Sequence, residues 1–124
     1  GLGDVYKRQE VFLGVRRDPR FGLVIGCGQG GSHVEQQADV TFAMLPLDTN
    51  DIASLVIEAG WSRRWRTEPT LVESLRQIIR STCDLVERTP GLVEADFNPI
   101  AMSQGEVPRL LDVRVRIDRS SPPK

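Results

Sequence analysis

Lysine is almost missing from this chain: Lys7 and Lys124 are the only two, and arginine makes up the rest of sixteen basic residues. Seventeen acidic residues offset them to a formal charge of −1. That balance excludes a nucleic-acid-binding role driven by phosphate neutralisation. No apolar run approaches the roughly 20 residues of a membrane span, and no signal peptide is visible. Cysteine is scarce too. Cys27 and Cys83 lack metal-ligand spacing and read as reduced thiols rather than a disulfide framework, so a cytoplasmic protein is expected. There is no initiator Met. Gly1 to Gln9 looks like an adaptor-derived leader set aside from the fold, with the natural protein expected to extend upstream. Neither an internal repeat nor a low-complexity segment occurs.

What is present is the composition of one folded domain: 124 residues, 40% apolar and 27% charged, enough to bury a modest core. Residues 10–17 predict a strand, Asp18-Pro19-Arg20 a turn, and Gly22 to Cys27 a second strand meeting a glycine cluster, Gly26 to Gly31. A third strand is expected over 38–45. Two helices follow. In the first, Ile52, Leu55, Val56 and Ala59 form a stripe, with Asp48 or Thr49 as cap and Gly60 as stop. The second covers about 68–88, with Leu71, Leu75, Ile78, Ile79, Leu85 and Val86 on one face. Between them lies an Arg/Trp loop, Trp61 to Arg66. Strands at 91–102 and 109–118 close the domain before a frayed tail from 119. The order implies an α+β domain with a mainly antiparallel sheet and helices packed on one face.

The last two strands carry the chemistry. Val93, Ala95, Phe97 and Ala101 alternate with Glu94, Asp96 and Asn98; Leu111, Val113, Val115 and Ile117 alternate with Asp112, Arg114 and Arg116. Each strand should therefore bury one face. For both apolar faces to share a core, paired residue numbers must have an even sum. A three-residue loop, Gln104-Gly105-Glu106, gives a sum of 210, with Gly105 available for a positive φ. Asn98 then faces Asp112, Asp96 faces Arg114, and Glu94 faces Arg116. A solvated face with two ion pairs, each worth about 0.2–1 kcal/mol, explains the charges. It leaves unexplained why Asn98, Asp112 and Pro99, all poor strand residues, sit together inside a sheet. An amide oxygen and a carboxylate are hard donors that suit Mg²⁺, with phosphates and water completing the shell.

Five ordered motifs carry a resemblance over residues 10–118. They are Asp18-Pro19 with Phe21-Gly22; Gly28-x-Gly30-Gly31-x-x-Val34-Glu35 with Asp39-Val40; Pro46-Leu47; Glu94-x-Asp96-x-Asn98-Pro99; and Asp112-x-Arg114-Val115. The chain resembles the C-terminal part of the ATP-grasp domain of NDP-forming acyl-CoA synthetases. That group includes ADP-forming acetate-CoA ligase and is related to the succinyl-CoA synthetase β subunit. The resemblance implies Asn98 and Asp112 as Mg²⁺ ligands and ATP or ADP as nucleotide. It places Asp96 beside the metal and an incoming phosphohistidine, with Arg114 as a phosphate or Asp96 partner. Gly28, Gly30 and Gly31 would offer backbone amides to an anion, and Glu35 would carry a site role. His33, the only histidine, does not match the family's phosphorylated histidine.

The implied partners are the CoA-binding and ligase modules of the same synthetase and the first ATP-grasp subdomain, so this piece alone is expected to be inactive. Three departures stand out: Ala43 where the family commonly has Arg, Leu23 where Pro is expected, and the Arg/Trp loop in place of a Leu-x-Gly-x-Arg-Gly segment. They motivate an alternative, a non-catalytic ATP-grasp relic that regulates a protein lysine acetyltransferase. A structural domain without ligand is the second.

Overall fold

Two glycine-bearing strands lie at the heart of the computed structural model, which describes residues 9–30, 40–58, 68–103 and 105–118. Strand β1 (Gln9–Asp18) pairs antiparallel with β2 (Gly22–Gln29) on one side and with β4 (Leu92–Met102) on the other. The short β3 (Thr41–Met44) extends the sheet beyond β2, and β5 (Arg109–Leu110) and β6 (Val113–Ile117) share the far side of β4. The expected antiparallel sheet is therefore present, with spatial order β3-β2-β1-β4 and then the β5/β6 edge.

The β1–β2 turn follows from its residues. Asp18 Oδ1 accepts the backbone N–H groups of Arg20 (2.7 Å) and Phe21 (3.0 Å), and Gly22 supplies φ +77°. Helix α1 (Thr49–Glu58) begins at Asp48. Its carboxylate accepts Asp51 N–H at 2.7 Å, and the Asp51 carboxylate returns to Asp48 N–H at 2.9 Å, a reciprocal cap. Ala59, Gly60 and the Arg/Trp loop lie outside the described residues. Helix α2 (Pro69–Arg88) starts at Glu68 with Pro69 in its first turn.

Both helices pack on one face of the sheet. Ile52, Leu55 and Val56 from α1 and Leu71, Leu75, Ile79 and Val86 from α2 meet Val11, Leu13, Val15, Ile25 and Cys27 in a single core. Thr82 is buried within that face and bonds its hydroxyl back to the Ile78 carbonyl at 2.8 Å. Cys27 and Cys83 are free thiols. No helix among the described residues is long and apolar enough to cross a membrane.

Two expectations need correction. The inward positions of β4 are not uniformly odd: Ala95 and Phe97 are buried, but so are Leu92, Ile100 and Met102, while Ala101 and Val93 are only partly covered. Asn98 and Pro99 together oppose the single residue Phe12, a β-bulge that shifts the parity of β4 by one. A second irregularity lies between Leu92 and Glu94. The other correction concerns the final strand, which is broken at Leu111-Asp112 and leaves its apolar side exposed instead of buried.

Candidate functional site

The face opposite the helices is open, and the polar side of the hairpin lies on it. The register anticipated for that hairpin holds through the centre. Asp96 pairs with Arg114, Glu94 with Arg116, and Ile100 with Leu110. Between the paired segments Asn98 N–H donates to the Asp112 carbonyl at 3.1 Å, and Leu111 N–H to the Pro99 carbonyl at 3.0 Å. Asn98 and Asp112 are thus backbone neighbours across the two strands. Gly105 takes φ +78°, and Glu106 N–H closes a turn onto the Ser103 carbonyl at 3.2 Å, within a loop longer than the three residues expected.

The pairings with β1 and β2 place further residues beside this hairpin. Gly26, Gly14, Asp96 and Arg114 form one transverse row, with Phe42 beyond Gly26. A cavity of about 530 Å³ opens over it, lined by Phe12, Phe42, Arg16, Glu94, Asp96 and Asn98 among others. The two glycines make room for aromatic rings. A Cβ on Gly14 would lie 2.9 Å from Phe12 Cζ, and one on Gly26 would lie 2.8 Å from Phe42 Cε1. Phe42 is nonetheless 66% exposed, an aromatic surface beside a charged one. Sequence reasoning missed these residues. Glycines interrupting two strand patterns were a signal, but only the long-range pairing of β1 with β4 sets them beside Asp96.

Asp96 is the electrostatic centre of the face. Its Oδ1 is buried and has no hydrogen-bond partner. Burial raises its carboxyl pKa above the ordinary range, Glu94 and Asp112 add to the rise, and Arg114 opposes it. Arg116 instead pairs with Glu94 at 3.6 Å. Because folded Asp96 holds its proton more tightly than the unfolded chain does, stability attributable to it falls as pH rises through the interval between its ordinary and raised pKa. Asp96→Asn is therefore expected to raise the thermal midpoint at neutral pH. The difference from wild type should vanish below the ordinary carboxylate range. Melting curves recorded across that range check this, and a gap that is constant with pH contradicts it.

The other expected site residues distribute unevenly. Gly28 lies inside β2, facing Phe12, so the strand runs two residues further than anticipated. The Gly30 N–H donates to the Glu10 carbonyl at 2.8 Å, so that amide already has its acceptor within the sheet. Gly31, His33 and Glu35 lie outside the described residues. Ala43 pairs with Ile25 and packs on the helix-side core. The missing arginine at that position thus removes nothing from the open face. Leu23 likewise packs against the core. Among the described residues no group of three or more His, Cys, Asp or Glu side chains is placed to hold a metal. Asn98 and Asp112 together offer two hard oxygen donors, compatible with Mg²⁺ only where other oxygens complete the shell.

The fold is an α+β layer, an antiparallel sheet with both helices on one face. A family model described as the ATP-grasp domain matches residues 4–117, and the chain belongs to that family. Among its relatives, the chain is 32% identical over 112 residues to a 4-hydroxybutyrate–CoA ligase [ADP-forming] of Nitrosopumilus maritimus, covering 86% of this chain but 16% of that protein. It is 31% identical over 116 residues to the β subunit of acetate–CoA ligase [ADP-forming] II of Pyrococcus furiosus, covering 86% of this chain and 48% of the subunit. The fold matches the dinucleotide-forming acetyl-coenzyme A synthetase 1 of Ca. Korarchaeum cryptofilum, solved with coenzyme A and Mg-AMPPCP. That match has a TM-score of 0.74 at 23% identity, covering 89% of this chain and 53% of that one. PH1788 from Pyrococcus horikoshii Ot3 matches with a TM-score of 0.74 at 28% identity, covering 89% of this chain and 48% of that one. The chain thus spans about half or less of the length of these relatives.

Proposed function

We propose that the open face is the metal–nucleotide wall of an NDP-forming acyl-CoA synthetase. The overall reaction would be acyl-CoA + ADP + phosphate ⇌ carboxylate + ATP + CoA, with a phosphohistidine supplied by another module. The observation that carries this reading is the unpartnered Asp96 Oδ1 in the cavity it shares with Asn98. A solvated structural face gives no reason to bury a carboxylate oxygen without a donor. The relatives supply the chemistry: two are named as ADP-forming CoA ligases, and one structural neighbour was solved with Mg-AMPPCP.

In this reading Asn98 and Asp112 hold Mg²⁺. When bound, the ion offsets phosphate charge during transfer. Asp96 lies two residues along β4 from Asn98, in the adjoining cross-strand row, and would present its carboxylate to the incoming group. Arg114, opposite Asp96, balances that carboxylate or meets a phosphate oxygen. Glu35 and Gly31 would complete the phosphate side, whereas Gly28 lies within β2 and the Gly30 amide is already bonded to the Glu10 carbonyl. The remaining wall of the cleft would come from the first ATP-grasp subdomain, and coenzyme A from a separate module of the same synthetase.

Titration of Mg·ADP into the longest natural reading frame containing this chain tests the reading. Asn98→Ala and Asp112→Ala should each weaken Mg·ADP binding at least about tenfold, a loss of about 1.4 kcal/mol. Both variants should keep the wild-type circular dichroism, since neither side chain belongs to the core. Unchanged affinity in both removes the metal assignment.

A further inference from the structure

The outermost strand has chemistry that the nucleotide reading does not use. Among the described residues β6 pairs with β4 alone, leaving its other edge uncovered. The Asp112 carbonyl accepts from Asn98, and Asp118 N–H donates to Gly91 at 2.8 Å, so these even positions turn their backbone groups toward β4. The alternation of an antiparallel ladder then points the amides and carbonyls of Val113, Val115 and Ile117 outward. Such an edge is a template for another strand.

Its side chains specify what kind of strand. Val113 and Val115 sit opposite the buried Phe97 and Ala95, and Ile117 opposite Leu92, all on the helix side of the sheet. Yet they are 44%, 49% and 50% exposed. Beside them Phe97 and Leu110 floor a groove of about 480 Å³ against Ile78 and Leu85 of α2, with Val107 and Pro108 at its rim. The opposite side of β6 carries Arg114 and Arg116. A second copy is a poor occupant. In the register that overlaps β6 fully with itself, Arg114 would lie against Arg116 twice, and like charges directly opposite one another destabilise a sheet.

We propose that the β6 edge accepts, by strand addition, an extended segment of a different polypeptide in which apolar and acidic residues alternate. The apolar side chains of that segment continue the Val113–Val115–Ile117 strip, and its carboxylates meet Arg114 and Arg116. The inference shares Arg114 with the nucleotide reading, but its test does not depend on that reading, because Val115 and Arg116 lie outside the proposed metal–nucleotide residues.

Two fluorescein-labelled ten-residue peptides with identical Val and Thr positions, carrying Glu or Lys at the alternate positions, test it by anisotropy against the full chain. The Glu peptide should bind saturably, and the Lys peptide at least about tenfold more weakly. Val115→Pro deletes an outward N–H, a change an edge strand tolerates, and should weaken the Glu peptide about tenfold while keeping the wild-type melting temperature. If that variant fails to fold, Arg116→Gln serves instead and should lower the affinity of the Glu peptide. Equal binding of both peptides overturns the proposal, as does undiminished binding by folded Val115→Pro. A wild-type dimer in sedimentation that Val115→Pro turns into monomer also overturns it, by giving the edge to a second copy.

Discussion

Leu13→Ala is expected to lower the unfolding free energy by about 2–5 kcal/mol. Leu13 is fully buried on the central strand, between Cys27 of β2 and Phe97 of β4, with the helices across the core. Removing its branched end loses transfer free energy and leaves a cavity whose walls are fixed by two ladders, so collapse into the space is restricted. A domain of this size has about 5–15 kcal/mol in total, so the loss is a large share. Urea denaturation should show a lower midpoint with an unchanged slope. Val115→Ala provides the contrast. That side chain is half exposed on β6, and its loss should cost well under the Leu13 value. Equal losses at the two positions would contradict the placement of the core.

Gly30→Ala should be the other severe change, for a different reason. A Cβ there would lie 2.6 Å from the Val11 carbonyl carbon, 2.7 Å from its oxygen and 2.9 Å from the Phe12 nitrogen. All three are backbone atoms, which cannot swing aside as a side chain can. The strands must separate, and the 2.8 Å bond from Gly30 N–H to the Glu10 carbonyl lengthens or breaks. Overpacking of this kind costs about 1–3 kcal/mol or more. Gly22→Ala separates the two roles of glycine. Nothing lies within 4 Å of its added Cβ, but φ is +77°, so the cost is conformational, about 1–2 kcal/mol. Thermal unfolding of the two variants, with hydrogen exchange at Gly30 and its neighbours, distinguishes them. Local loss of protection at the Val11–Gly30 end is expected only for Gly30→Ala.

Much of this architecture was legible in local pattern. The two helices could be read from apolar spacing because a helix's period is an internal property of its own residues. The Asn98–Asp112 neighbourhood could be read because a hairpin links its two strands through a short turn, and parity then restricts the register. The cavity was not legible. Phe12, Gly14, Gly26 and Phe42 come beside Asp96 through the pairing of β1 with β4, strands separated by two helices, and no local signal encodes that register. The half-exposed edge was misread for a related reason. Alternation in 113–117 says that one side of β6 is apolar, but whether a helix covers that side depends on how far the helical layer reaches. The bulge escaped notice because Ile100 and Ala101 are both apolar, so either could have been the inward residue.

That bulge has a consequence for how this region can change length. On the helix side β4 steps from Phe97 to Ile100, and its edge partner steps from Val113 to Leu110, each with two residues between. β1 has only Phe12 in the same interval. Losing one residue from β4 alone would bring it into step with β1 but out of step with the edge; losing one from the edge alone would disturb only the edge. Deleting Pro99 and Leu111 together would leave three strands in even alternation. Gaps at these two places are therefore coupled, and relatives that align here should gain or lose residues in matched pairs. Asn98 and Asp112 would keep their outward aim through such a paired deletion, which makes strand length adjustable separately from the proposed metal site.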